Sequence, residues 1–286
     1  MSLLHTAFKL ATIPYGVMFR EQRPGLVILG YHRIGGGTRS DIDLPVAEFA
    51  AQMAYLRRHY RLVSLDDATS MSVSQELNGH ADLVAVTFDD GYRDFYEHAF
   101  PVLQEHRIPA TVYVATAYVD AQRPFDFGEL ARARRRPEPM SWSQLRELAQ
   151  SSLITIGAHT HHHLDLTLLP PAEVRQEVER CHELIADRLG EAPRHFAYPW
   201  GRLTPVVRRQ VGEQFKTAAR GGCGKNPFGA LDLLGLWRRP IQQADVAWLF
   251  RLKLRSYLDG EEHFRAIAER LGRRGIKPSQ PTPTRA

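Results

Sequence analysis

Cysteine is scarce: 286 residues hold two, Cys181 and Cys223. Two cannot build a disulfide framework, and their spacing matches no metal-binding pattern. Cys181 falls in a helical pattern, where a buried free thiol is expected. Cys223 falls in a Gly221-Gly222-Cys223-Gly224 loop, and a bond between the two stays open. No window of about 20 apolar residues occurs, which argues against a membrane-spanning helix. Leu3 to Phe19 is partly apolar. Lys9 sits inside it, Pro14 interrupts it and no small-residue cleavage site is clear, so it reads poorly as a signal peptide. A helix packed on the domain is expected there, with an interfacial helix as the other reading. No internal repeat stands out. Nor are aromatic and basic residues interleaved in a nucleic-acid-binding module, so no nucleic-acid partner is expected.

What is present is an ordinary globular composition, 43% apolar and 24% charged, sufficient for a substantial core. The net charge of +5 fits plain solubility; an anionic glycan or a membrane surface would also suit it. From Leu26 onward strand and helix patterns alternate. Leu26–Tyr31, Leu83–Phe88, Ala110–Val114 and Leu153–Ile156 read as strands, and shorter ones follow at His195–Tyr198, Phe215–Ala219 and Trp237–Ile241. Val46–His59, Phe95–His106, Ser141–Ser151 and Pro171–Leu189 read as helices, the last started by proline and ended by Gly190. Repeated βα units predict a parallel sheet, open or closed. Ala131–Pro139, with Arg132, Arg134, Arg135 and Arg136, reads as an exposed loop, and the tail 273–286 as disordered.

The chemistry sits at strand ends. Thr87-Phe88-Asp89-Asp90-Gly91 closes an apolar run with two adjacent carboxylates and a residue that permits a turn. Adjacent strand residues point to opposite sides, so the two acids serve one site only if the backbone turns there. The strand at Leu153–Ile156 runs into Gly157-Ala158-His159-Thr160-His161-His162-His163, four histidines in five residues. His159 and His163 are spaced i and i+4, so one helical turn would put both imidazoles on one side. In a parallel barrel all such strand ends converge on one face. Two histidines and one carboxylate suffice for a catalytic metal with an open position, and the second carboxylate is then spare as a base. Phe196-Ala197-Tyr198-Pro199-Trp200-Gly201 ends another strand on that face. Its N–H groups suit an oxyanion and its aromatics a sugar ring.

These residues resemble the polysaccharide deacetylases of the NodB-homology type, carbohydrate esterase family 4. Thr87–Gly91 is similar to the family's first motif, and His159-Thr160-His161-His162-His163 to its second, His-Ser/Thr-x-x-His. The resemblance runs from about Leu26 to Ile241. It implies a distorted (β/α) barrel of seven parallel strands over 25–272, after an N-terminal extension over 1–24. It implies a divalent metal, zinc above cobalt, nickel or manganese, held by Asp90, His159 and His163. Asp89 becomes the general base, and His161 and His162 fall on variable positions. The implied activity is removal of N-acetyl groups from N-acetylglucosamine-type sugars of a polysaccharide or oligosaccharide.

Two departures matter. The family keeps arginine two residues before the third-motif proline, where this chain has Ala197. Arg238 or Arg239 is the expected substitute, with Arg238 favoured. The Leu-x-His motif that carries the family's general acid has no match, and His263 stands in a different context. Gly30-Tyr31-His32-Arg33-Ile34 instead resembles the subgroup acting on exopolysaccharides such as poly-N-acetylglucosamine. That assigns His32 as the acid, with a strand-end capping role as its structural alternative. Trp200 is the oxyanion donor, and Tyr31, Tyr198, Pro199 and Trp200 are the substrate-binding candidates. An O-acetyl esterase, a small-amide hydrolase or a catalytically weak glycan-binding component are the alternatives. A cytoplasmic location or a peripheral one at the cytoplasmic membrane is expected.

Overall fold

A computed structural model describes residues 3–38, 40–74, 82–132 and 136–260. Seven parallel strands close into a ring: β1 (Gly25–Tyr31), β2 (Leu83–Phe88), β3 (Ala110–Val114), β4 (Ile154–Ala158), β5 (His195–Ala197), β6 (Thr217–Arg220) and β7 (Leu236–Pro240). Each pairs with the next in sequence, and β7 and β2 both pair with β1, which completes the barrel. The seven-stranded (β/α) barrel expected from the family resemblance is therefore the observed fold.

Strand alternation explains the two cores. Leu26, Ile28, Leu83, Ala85, Tyr113, Ala197, Ala219 and Leu236 form one cluster, which we assign to the barrel interior. Val27, Leu29, Val84, Val86 and Val112 belong to the other cluster, together with Phe49, Met53 and Leu56 of the helix Val46–His59. Because both faces are buried, the strands read as continuous apolar runs. Gly157 is required by one inward ring: a Cβ there would lie 2.6 Å from Tyr113 Cδ1.

Helices cover the outside. Trp142–Gln150 starts with a reciprocal cap, in which Ser141 Oγ accepts from the Gln144 N–H and Gln144 Oε1 accepts from the Ser141 N–H. Pro171–Leu189 stops at Gly190, whose φ of 80° is left-handed. The segment Phe95–His106 opens as a π-helical turn over Phe95–Ala99 and continues as an α-helix from Phe100, with Pro101 in its first turn.

The N-terminal helix, Leu3–Phe19, packs on the end of the described chain. Lys9 Nζ donates to Asp245 Oδ1 at 2.5 Å, Lys253 donates to the other oxygen at 2.7 Å, and Gly16 lies against the Tyr257 backbone. Among its described side chains, from Lys9 to Phe19, the buried residues are Lys9, Thr12 and Gly16. Neither cysteine is in a disulfide, and burial pushes the Cys181 thiol up to about 12. His263, the tail 273–286, Arg134 and Arg135 lie outside the described residues, as does the side chain of Arg132.

Candidate active site at the barrel mouth

Asp89, Asp90, His159 and His163 meet at the C-terminal ends of β2 and β4, all at 6% exposure or less. The turn that lets both acids serve one site begins at Asp90 itself (φ 71°) and continues through Gly91 (φ 87°). The left-handed region tolerates aspartate better than most residues, so the strain falls where the sequence can bear it.

The histidine cluster corrects one expectation. His159–His163 is a tight turn and not a helical one, with left-handed Thr160 (φ 65°) and His163 (φ 59°). The His163 N–H donates to Thr160 Oγ1 at 3.0 Å. That turn still brings Nε2 of His159 and His163 to 3.4 and 3.2 Å from Asp90 Oδ1. His161 turns away to Thr116 Oγ1, and His162 to the Glu177 carboxylate.

The donor set fits a metal ion. His159 Nδ1 donates to the Ala197 carbonyl at 2.8 Å, which fixes the tautomer and leaves a lone pair on Nε2. That lone pair faces Asp90 Oδ1, a buried oxygen with no hydrogen-bond partner. Two lone pairs so placed repel each other unless a cation lies between them. Burial drives the His159 pKa down to about 4, so the ring is neutral. Burial would raise the Asp90 pKa, but His163 and then His159 outweigh it and hold the group far below the carboxylate range. His163 is fixed from the side, stacked on Phe127 at 3.8 Å and 12°.

Asp89 is held differently. Arg238 Nη1 and Nη2 donate to its two oxygens at 2.5 and 2.8 Å, a bidentate buried pair. Burial alone would raise the Asp89 pKa; Arg238 first, then His159 and His32, more than offset it and keep the group ionised below the ordinary range. Of the two candidate arginines, Arg238 and not Arg239 is therefore the one that reaches Asp89. Arg239 points the other way, to Asp259, Ser256 and the Leu254 carbonyl.

His32 Nε2 lies 3.7 Å from Asp89 Oδ2, too far for a hydrogen bond, and its side chain is 27% exposed in the cleft. Its Nδ1 has no partner, so it makes no strand-end cap through that nitrogen. Trp200 (φ 58°) lines the same 440 Å³ cleft and is 49% exposed.

Three substrate-binding candidates are not on the cleft wall. Tyr31 is buried outside the barrel against Phe49 and Phe88, its O–H donating to Gln52 Oε1. Tyr198 is buried and donates to the Leu234 carbonyl, and Pro199 is buried beside it. Strand parity sends Tyr31 away from the cleft and leaves His32 in it. Sequence reading missed Phe127, Tyr92 and the Ala197 carbonyl. Phe127 comes from a long loop with no pattern, and a backbone oxygen carries no sequence signal; Tyr92 stood two residues past Asp90 and could have been weighed.

The sequence profile described as Polysaccharide deacetylase matches residues 76–217. YxkH of Bacillus subtilis (strain 168), a protein of the polysaccharide deacetylase type by name, is 28% identical over 73% of this chain and 70% of its own. The poly-beta-1,6-N-acetyl-D-glucosamine N-deacetylase of Escherichia coli (strain K12) is 30% identical over 65% of this chain, which spans 32% of that protein's length. Among solved structures, IcaB from Ammonifex degensii superposes with a TM-score of 0.70 at 27% identity, covering 84% of this chain and 100% of that one.

Proposed function

We propose, for a chain that belongs to the polysaccharide deacetylase family, that the cleft removes N-acetyl groups from N-acetylglucosamine-type sugars of a polysaccharide or glycan precursor. The observation that carries this reading is the division of labour between adjacent acids. Asp89 is locked by Arg238, and Asp90 presents a partnerless oxygen to two imidazoles.

Asp90, His159 and His163 would hold a divalent cation, zinc by preference for this donor set, with cobalt, nickel or manganese as alternatives. When bound, such a cation supplies a Lewis acid for the acetyl oxygen and a water of lowered pKa. Asp89 accepts the proton of the attacking water, and Arg238 keeps it ionised and aimed. The Trp200 backbone N–H donates to the oxygen that gains negative charge. His32 protonates the departing nitrogen as the C–N bond breaks, giving acetate and a free amino sugar. The exposed Trp200 indole offers a stacking face for the sugar ring.

Acetate release from N-acetylglucosamine oligomers, peptidoglycan and acetylated xylan tests the reading, after chelation and after zinc is restored. Release from the oligomers that needs zinc is expected. Release from xylan alone would make the protein an O-acetyl esterase, and zinc binding without any release a glycan-binding component.

We infer, too, a peripheral position at a membrane surface. It is supported by the outward face of the N-terminal helix, where every exposed side chain from Leu10 to Phe19 is apolar: Leu10, Ala11, Pro14, Val17, Met18 and Phe19. The protein should co-sediment with phosphatidylcholine–phosphatidylglycerol vesicles, and serine at Val17, Met18 and Phe19 together should abolish this. Protein that stays in the supernatant would refute the position.

A further inference from the structure

Polar groups outside the metal site converge on one buried carboxylate behind the cleft. β7 ends at Pro240, and the chain then turns through Gln242 to Asp245. Pro240 and Gln242 line the cleft, as do Asp41 and Ile42. The Gln242 N–H donates to Asp245 Oδ2 at 2.9 Å, and the Gln242 carbonyl accepts from the Asp245 N–H at 2.9 Å. These bonds run through the Gln242 backbone and leave its side-chain amide to the cleft. Gln243 extends the brace. Its N–H donates to the Asp41 carbonyl at 2.8 Å, and its side chain donates to the Thr38 and Asp43 carbonyls at 3.1 and 3.2 Å. One stretch of the cleft wall therefore hangs on Asp245.

Asp245 is held from both ends of the described chain. Lys253, in the helix Ala247–Leu254, donates to Oδ2 at 2.7 Å and to the Pro240 carbonyl at 2.8 Å. Lys9, in the N-terminal helix, donates to Oδ1 at 2.5 Å. All three residues are at 1% exposure or less. Lysine is almost never fully buried unless paired, and Lys253 alone already balances the charge of Asp245. A second buried ammonium adds a desolvation cost that the first does not require, so Lys9 needs another reason to be there. The geometry supplies one. Oδ2 is shared by Lys253 and the Gln242 N–H, whereas Oδ1 meets Lys9 alone among the described residues. Lys9 thus sets the rotation of the carboxylate, and with it whether Oδ2 faces the Gln242 N–H. Burial would raise the Asp245 pKa, but Lys253 and then Lys9 outweigh it, so the group is ionised and accepts on both oxygens.

We propose that Lys9 is a positioning residue that fixes the Asp245 carboxylate and, through the Gln242 N–H, holds the Gln242 side chain in the cleft wall to meet the sugar. The helix that carries Lys9 lies outside the barrel, yet it helps to shape the barrel mouth. The inference rests on the deacetylase reading above only where it concerns the sugar.

Lys9→Met keeps the aliphatic stem and leaves Asp245 paired with Lys253, so the fold should hold. In the full chain, hydrogen exchange of the Gln242 amide should quicken about 10-fold, as expected for one weakened hydrogen bond. Amides of β2, β3 and β4 should keep their native rates, and zinc affinity should not change. KM for N-acetylglucosamine oligomers should rise about 3- to 10-fold, again one hydrogen bond's loss, with kcat near its native value. Gln242→Ala should raise KM as far, and the two changes together should raise it no further. A native exchange rate at Gln242 in Lys9→Met overturns the proposal. Faster exchange spread over all the strands would make Lys9 a packing element and overturn it equally. An unchanged KM in Gln242→Ala, or a double variant whose KM is the product of the two single effects, would break the link to the sugar and overturn it too. The exchange measurement needs no substrate, so its failure is separable from failure of the deacetylase reading.

Discussion

Asp89→Asn should bind zinc as the native protein does and lose about 10²- to 10⁴-fold in kcat, the span that a positioned general base contributes. The change is nearly isosteric, and Asp90, His159 and His163 are untouched. What is lost is the second acceptor oxygen and the negative charge that Arg238 pairs with. Acetate release and zinc content measured on one preparation check both halves. Turnover at the native rate would move the base elsewhere, with His32, 3.7 Å from Asp89 Oδ2, as the next candidate. Arg238→Met is the companion variant. In the native protein burial raises the Asp89 pKa, and Arg238, with His159 and His32, lowers it further than burial raises it. Without the guanidinium only His159 and His32 oppose burial, so Asp89 takes up its proton at a higher pH. The acid limb of the activity profile should therefore move upward, and activity should vanish earlier on acidification. The buried carboxylate left alone should also lower stability by about 3–5 kcal/mol.

His159→Ala and His163→Ala should each lose zinc and, with it, turnover. Each removes one of three protein ligand atoms that lie within 4.8 Å of one another. The loss should exceed the roughly 100-fold that follows loss of a ligand's supporting hydrogen bond, since here the ligand itself goes. His161→Ala and His162→Ala are the internal controls, because their rings turn to Thr116 and Glu177 and should leave zinc stoichiometry unchanged. Zinc retained by His159→Ala under dialysis would dismantle the assigned ligand set. The two variants should differ in kind as well: His159 also donates to the Ala197 carbonyl that ties β4 to β5, whereas His163 rests on the Phe127 ring. Removing His159 should cost more in metal-free stability.

The site was legible in proportion to how locally it is encoded. Asp89, Asp90, His159 and His163 stand in two short segments at the ends of apolar runs, and parallel topology brings such ends together whatever the detailed geometry. The i, i+4 spacing of the histidines was sound, yet the helical reason given for it was not. A turn with two left-handed residues reaches the same convergence. Tyr31 and Tyr198 lie off the cleft wall, a placement the sequence could not supply because an aromatic beside a strand end has two possible sides, and composition favours neither.

By itself the sequence determined the βα alternation, the two carboxylates and the histidine pair, since burial on both faces of a parallel strand leaves an apolar run and metal ligation needs particular donor types. It did not settle whether the sheet closes, because closure depends on β1 pairing with both β2 and β7, across long separations in the chain. Nor did its own pattern separate Arg238, favoured through the family resemblance, from Arg239. Neighbouring strand residues point to opposite faces, so one register decides which guanidinium reaches Asp89 and which is buried on Asp259. Only the tertiary structure holds that register, because hydrogen bonds to β1 and β6 set it and nothing within β7 does.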